Sequence, residues 1–392
     1  MRRNLLRERR SRTDAGVSSG QGRTTSRCKI VLFGPWPPPY GGVASHVQDL
    51  VEQLTGRGFS VRTLGYGDFR SQSRVWRASV SRQSWWRTKL CLRLALSRGT
   101  IFHDHSPLLP QAELDLLESL SAIIQARRAQ WILTLHDETT IERFHSWPVA
   151  RQEVFLRFVK QPEHLVSVGN RLETFLRGLG ISEGRVSSIP PLLLPLGDGA
   201  AAPAAPELQA FLRDHEPVVT TIGAIHPNYD LLTILRAFPI IRARYPRAGL
   251  LLIDAGFTMD VEMWGQMQEA LGALPPDCCR LCSALPRPQV LGLLAASAVF
   301  VRGTRRESFG LSRAEAILLG TPVVTTQTGE TRTMELYEFG CPDELASQVL
   351  KVLARKRDVS EGQAFFRRIG DQTFDQVLAV YERARDASLP KD

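Results

Sequence analysis

From Lys29 onward, short apolar runs of strand length alternate with segments whose apolar residues recur at helical spacing. That alternation leaves few architectures open. Parallel strands need crossover connections and bury both faces, so the reading is α/β with parallel sheets. "KIVLFG" (29–34) is the first run, and "PWPPPYGG" (35–42) must be a loop, because proline removes ladder donors and blocks a helix. "VASHVQDLVEQLTGRG" (43–58) then sets Val43, Val47, Leu50 and Leu54 on one helical face and stops at glycine. "TIFHDHS", "WILTLHD" and "HLVSVGN" read as later strands. "LGDGAAAPAAPELQAF" (196–211), rich in Ala, Pro and Gly, breaks the rhythm as a linker. Beyond it "PVVTTIGAI", "AGLLLIDAG", "VFVRG" and "PVVTT" restart it, with helices between them and two more at the end.

A chain of 392 residues exceeds one ordinary core. The organisation expected is a disordered basic tail over 1–27 (or upstream sequence read from an early start codon) and a first Rossmann-like domain over 28–195. A linker over 196–216, a second Rossmann-like domain over 217–372 and a terminal helix over 373–392, packing back on the first domain, complete it.

Charge and cysteine usage exclude several classes. The net charge of +9 is concentrated at one end, since residues 1–29 hold nine Arg or Lys against two acids. The body carries about +2, unlike a duplex-binding domain, and nucleic acid is not expected as a partner. No apolar run is long enough to span a bilayer, and the N-terminus lacks the apolar stretch of a secretory signal. Cys278, Cys279 and Cys282 are closely spaced but have no second His or Cys pair to complete a metal site. The six cysteines read as idle thiols of a reducing cytoplasm.

The residues that carry chemistry all fall at predicted C-terminal strand ends, where open α/β sheets bind ligands. Gly41-Gly42 stand between the proline loop and a helix start, as a simple turn or as a close-approach cradle for phosphate. "RRESFGLSRAEAILLGTPVV" (305–324) places Glu307 before a glycine turn and Glu315 on the following helix. Ser312 to Glu315 fits a capping box. Alternatively, Glu315 accepts from a ribose-like diol and Glu307 meets a second set of hydroxyls, with the amides of Phe309, Gly310 and Leu311 facing the ligand. Arg302, Arg305, Arg306 and Arg313 crowd the same turn, as a diphosphate fork or as solvated surface. His136-Asp137 suits a sugar hydroxyl or a helix cap, and His103-Asp104-His105 suits a metal-dependent hydrolase barrel.

With these motifs in order, the chain resembles the retaining glycosyltransferases of family 4 (glycosyl transferases group 1). The matching pieces are "KIVLFGPWPPPYGGV", "FHDHSP", "TLHD", "VSVGNRLETFLRGLGISEGRVSSIPP" and "ESFGLSRAEAILLGTPVV", whose Glu307 and Glu315 form the family's E-x7-E. The resemblance implies the GT-B fold, two Rossmann-like doubly wound domains facing a central cleft. It implies transfer of a sugar from a nucleotide-sugar donor with retention and with no metal or other cofactor, the leaving diphosphate taking the acceptor's proton. His136 and Glu307 would act at the reacting sugar. Gly41, Gly42, Phe309, Gly310, Leu311 and Glu315 would bind the donor. One departure matters: where the family carries an arginine and a lysine on the diphosphate, this chain has Ala224 and Asn228. Losing two charge-assisted contacts costs about 3–6 kcal/mol. Arg302, with Arg305 or Arg306, is expected to supply the missing charge.

Residues 69–99 contain eight Arg or Lys, no acid, and Trp76, Trp85 and Trp86. Basic residues with interfacial tryptophans suit an anionic bilayer, and the alternative is a helix covering the sheet. The expected acceptor is therefore a glycan or lipid-linked saccharide of bacterial surface polysaccharide assembly, with the enzyme cytoplasmic and peripheral on the inner face of the plasma membrane. The rival readings are a degenerate GT-B protein that binds a sugar nucleotide or a partner without catalysis, and the hydrolase using His103 and His105.

Overall fold

The computed structural model describes residues 29–37, 41–66, 76–79, 92–93, 95–105, 121–193, 196, 201–283, 285–355 and 358–386. The proposed tail over 1–27 lies outside the described residues, as does most of the basic, tryptophan-bearing stretch over 69–99, Trp85 and Trp86 included.

Two open sheets, each entirely parallel, account for the strands. The first contains β1 (Lys29–Pro35), β2 (Ser60–Tyr66), β3 (Trp76–Ser79), β4 (Thr100–Asp104), β5 (Gln130–Leu135), β6 (His164–Ser167) and β7 (Val186–Ser188), in the order β3-β2-β1-β4-β5-β6-β7. The second contains β8 (Val218–Ile225), β9 (Gly249–Met259), β10 (Cys279–Ser283), β11 (Val299–Arg302), β12 (Val323–Thr325) and β13 (Glu335–Leu336), in the order β10-β9-β8-β11-β12-β13. Both orders run outward one way from the first strand and then reverse, the doubly wound pattern. Neither sheet closes into the barrel that a His103/His105 hydrolase needs, so that reading fails on architecture.

The helices described from end to end are α1 (Gly42–Gly56), α2 (Thr139–Ser146), α3 (Val149–Val159), α4 (Asn170–Gly178), α5 (Pro206–Asp214), α6 (Leu231–Arg244), α7 (Val261–Gly272), α8 (Arg287–Ala296), α9 (Leu311–Leu318), α10 (Pro342–Ala354) and α11 (Ser360–Asp386). They cover both faces of each sheet. In β1, Val31 and Phe33 enter one core while Ile30 and Leu32 enter the other. In β9, Leu250 and Leu252 face one way and Leu251 and Ile253 the other. This period-2 division explains why the strand runs are almost uninterruptedly apolar.

Two expectations change here. The Ala/Pro-rich segment is not all linker: Pro206 sits at the first helical position of α5, and Leu208 and Phe211 bury against Val218, Leu251 and Leu293. Three residues of spacing was enough to anchor one helical face. Of the basic stretch, Trp76–Ser79 pairs with β2 as an edge strand, and Leu92, Ala95 and Leu96 are buried in the first domain's core.

The last helix ties the halves together. Phe366, early in α11, packs with Phe300 and Phe309 of the second domain. Phe374, Val377, Val380 and Tyr381 pack on Ile30, Leu32, Ile101 and Ile132 of the first. The C-terminal strand ends of both sheets consequently face one cleft.

Candidate active site

The cleft encloses about 1080 Å³ between the two sheets. That is just above the usual range of about 300–1,000 Å³ for small-molecule sites. Gly41, Gly42 and His136 line it from the first domain, and Arg302, Arg305, Arg306, Glu307, Phe309, Gly310, Leu311 and Glu315 from the second. Gly41 and Glu315 thus border one space although they are 274 positions apart, whereas His103, His105 and Arg313, also singled out in the sequence, are buried and do not line it.

Local chemistry explains each placement. Gly41 caps α1 in an extended conformation with no side-chain bond, leaving the helix's first amides to the cleft. Gly310 caps α9 with φ +91°, a left-handed conformation that side chains resist. The cap lies at Gly310 and makes no side-chain hydrogen bond, so the capping box over Ser312 to Glu315 does not form. Glu315 is instead held by Arg287, which donates to its Oε1 from Nε at 2.9 Å and Nη2 at 2.7 Å. Glu307 Oε2 is held by Arg302 Nη2 at 3.3 Å. Among the described residues, each acid is therefore anchored through one oxygen and leaves the other without a partner. Two anchored carboxylates with open oxygens are suited to accept from ligand hydroxyls.

Arg287 was not among the sequence candidates. It also donates from Nη1 to both oxygens of Asp49 on α1, at 2.7 and 2.8 Å, so one guanidinium joins the two domains beneath the cleft. Burial lifts the Asp49 carboxyl to about 7 even with Arg287 pulling the other way. Burial would lower Arg287, but the two acids outweigh it and keep it charged. A signal existed in the sequence: "PRPQV" puts a cation at a helix start, where the helix dipole disfavours one. Ser308 was missed as well. Its hydroxyl donates to the His136 carbonyl at 2.7 Å and accepts from the Glu138 amide at 3.2 Å, stitching the two active-site loops together.

The remaining arginines are largely committed. Arg302 donates to the Ile222 carbonyl, and its guanidinium lies 4.8 Å over Tyr229, besides holding Glu307. Arg305 donates to the Pro227 carbonyl and rests on Phe339 at 4.1 Å. Arg306 is half exposed and 3.7 Å from Glu142. Asn228 clips the turn, accepting from the Arg306 amide at 3.1 Å and donating to its carbonyl at 3.2 Å. Ala224 is wholly buried. The two positions that lack cations thus serve packing and loop geometry.

Four histidines cluster at the first domain's wall of the cleft, His136 lining it and His46, His103 and His105 behind. The rings of His103 and His105 are 4.0 Å apart, and both His105 and His46 lie within 5.4 Å of His136. Burial holds all four well below the usual imidazole range, His46 at about 4, so they are neutral. His103 is bonded at both nitrogens, to Tyr381 and Thr134 at 2.7 Å each. His105 Nδ1 and His136 Nε2 are 3.1 Å apart, leaving His136 Nδ1 open. Ring nitrogens of His46, His105 and His136 come within 4.8 Å of one another. However, His46 Nδ1 accepts from the Leu192 amide at 3.0 Å, which puts its proton on Nε2 and offers no lone pair there. The chemistry of this set is that of a neutral hydrogen-bonding wall. Asp137 accepts from the amide and hydroxyl of Thr139, which makes it a turn former for α2. Cys279 is pushed up to about 12 by burial and is no thiolate ligand.

Residues 216–355 match the family model for glycosyl transferases group 1. This second domain is a glycosyl transferases group 1 domain. The match spans most of the second domain and includes both glutamates of the cleft. Solved structures align along nearly the whole chain. Sucrose-phosphate synthase from Thermosynechococcus elongatus shares 19% identity at a TM-score of 0.70, over 92% of this chain and 100% of its own. An α,α-trehalose-phosphate synthase (UDP-forming) from Burkholderia vietnamiensis shares 14% at 0.69, over 93% and 100%. HepE of Anabaena, solved with UDP and glucose, shares 14% at 0.66, over 89% and 99%. At these identities the likeness establishes the fold of the chain, GT-B. No curated protein matches the chain in sequence.

Proposed function

We propose that the protein is a glycosyltransferase that moves a sugar from a nucleoside diphosphate donor to a hydroxyl of a glycan or lipid-linked acceptor, with retention, and without a metal. The observation that carries the reading is the pair of carboxylates, Glu307 and Glu315, each fixed by an arginine through one oxygen and open at the other, on the wall of a cleft between two sheets. In this reading Glu315 Oε2 accepts from the ribose and Glu307 Oε1 from the sugar. The amides of Phe309, Gly310 and Leu311 and the start of α1 at Gly41-Gly42 take the diphosphate. His136, neutral, bonds the sugar through Nδ1. The acceptor oxygen attacks the anomeric carbon on the face the diphosphate leaves. The carbon–oxygen bond to phosphate breaks, and the acceptor's proton passes to the departing phosphate oxygen. No protein nucleophile is needed. Two of the similar structures bear on the donor: one is of a UDP-forming enzyme and another holds UDP and glucose, so UDP-sugars come first.

A thermal-shift panel of nucleotide sugars, followed by turnover and anomeric analysis of the product, tests this. One donor class should raise the melting temperature by mass action and give a product of unchanged anomeric configuration. Inverted product removes the retaining mechanism. Binding without turnover on any acceptor favours the second reading, a sugar-nucleotide-binding protein, which the uncharged Ala224 and Asn228 recommend.

We place the enzyme on the cytoplasmic face of the plasma membrane, acting on a lipid-linked saccharide in surface polysaccharide assembly. Support comes from the acid-free run of eight cations over 69–99. Among the described residues no helix is long and apolar enough to cross a membrane. The protein should float with vesicles containing anionic lipid and not with neutral ones. Its recovery wholly in the soluble fraction in both cases removes the membrane assignment.

A further inference from the structure

Arg313, on the first turn of α9, is the largest of the fully buried side chains, with 0% exposure. Arginine is rarely buried without a carboxylate, because removing its charge from water is costly. Yet among the described residues Arg313 has no ion pair. Nη1 donates to Thr325 Oγ1 at 2.8 Å and Nη2 to the Phe309 carbonyl at 3.2 Å, both neutral. Its Nε is buried with no partner at all. Burial draws its pKa down to about 10, against the pull of Glu307.

The chain makes room for this charge. Gly310 and Gly329 are both left-handed, at φ +91° and +62°, and a Cβ at either would overlap the guanidinium. The charge lies directly under the Phe309–Leu311 turn, which lines the cleft. The Phe309 carbonyl is drawn inward by Arg313 and by the Glu330 amide. In a trans peptide the carbonyl and the following N–H point opposite ways, so the Gly310 N–H is turned toward the cleft. A buried cation with neutral partners behind an outward-turned amide is an anion site seen from its inner side. A buried group left unsatisfied calls for an ion or ligand to complete it.

We propose that Arg313 is a positioning residue for the donor. It turns the Phe309–Leu311 loop into an anion cradle, and its missing counter-ion is the diphosphate of the bound sugar nucleotide. This rests on the nucleotide-sugar reading of the cleft, and it supplies from beneath the loop the charge that Ala224 and Asn228 do not provide.

Calorimetric titration of the full chain with UDP, GDP, ADP, CDP and dTDP, with the corresponding nucleosides and with inorganic pyrophosphate separates the two ideas. The wild type should prefer one diphosphate over its nucleoside. Arg313→Gln, which keeps a donor for the Phe309 carbonyl, should weaken that diphosphate about thirtyfold, as removal of a buried charge partner does, and leave its nucleoside within about twofold. Arg313→Lys, which restores the charge, should recover most of the loss. Equal weakening of nucleoside and diphosphate in Arg313→Gln shows a purely structural role and overturns the inference, as does no weakening, with the reading of the cleft left standing. A wild type that binds none of the diphosphates overturns both. If Arg313→Gln does not fold, Arg313→Lys decides, because a loss of diphosphate affinity beyond about tenfold in that variant contradicts a role carried by charge.

Discussion

Glu307→Gln is expected to lower the turnover number by a factor on the order of 10² to 10³, the size of a lost electrostatic contact at a reacting centre. Nucleoside diphosphate affinity should remain within about threefold, because uniform binding is not what the substitution removes. The amide keeps the shape of the carboxylate and still fits beside Arg302, which donates to Glu307 Oε2 at 3.3 Å. What disappears is the negative charge that the open oxygen presents to the cleft. Positive charge develops on the sugar as the diphosphate departs, so that loss falls on the transition state. Glu315→Gln should behave oppositely, weakening the nucleotide more than turnover, because its carboxylate is assigned to the ribose. Steady-state kinetics with the donor from the thermal-shift panel distinguish the two variants. Near-normal turnover in Glu307→Gln ends its catalytic assignment.

A second large effect is loss of stability in mild acid. His46, His103, His105 and His136 are buried together and neutral, and each is held below the ordinary imidazole value chiefly by burial. Between the unfolded value of 6.5 and the folded value of about 4 for His46, the unfolded chain binds a proton that the folded chain refuses. The stability this group contributes is therefore complete above pH 6.5 and is lost as pH falls toward 4. At about 1.4 kcal/mol per unit, His46 alone removes about 3 kcal/mol over that interval. The other three act in the same direction. Asp49, lifted to about 7, works the other way, since its protonated form is the one burial favours. Glu138 and Glu163, also raised by burial, act with Asp49, while His164, lowered to about 4, adds a fifth imidazole to the four, so the histidines prevail. Urea midpoints should drop steeply from pH 6.5 to 4.5. His46→Asn keeps an acceptor for the Leu192 amide and should flatten the slope by about one proton. A wild-type profile level across that range would show that the cluster accepts protons without cost.

The strands were legible because their cause is local. Val31 and Phe33 serve one core and Ile30 and Leu32 the other, so the run is apolar throughout and reads as a buried strand. The glycine turn was legible for the same reason, since Gly310 stands where a left-handed residue is required. The helix at Pro206–Asp214 was not, because Ala and Pro mask a pattern that rests on Leu208 and Phe211 alone. The roles of the arginines were not legible either. A guanidinium fits a ligand diphosphate, a carboxylate or a carbonyl equally well, and only its neighbours choose. Arg305 met the Pro227 carbonyl, while Arg287 met Glu315 across 28 positions and Asp49 across 238.

By itself, the sequence determined the parallel α/β build, its two halves and the set of residues at the strand ends. These follow from periodicity and from glycine and proline, which act over a few residues. Only the tertiary structure decided that Arg287 bridges the domains, that Ser308 bonds the His136 backbone, and that Arg313 lies buried with no ion pair among the described residues. The reason is physical: charge pairing and desolvation depend on distances between groups far apart in the chain, and those distances exist only after the sheets and α11 have packed.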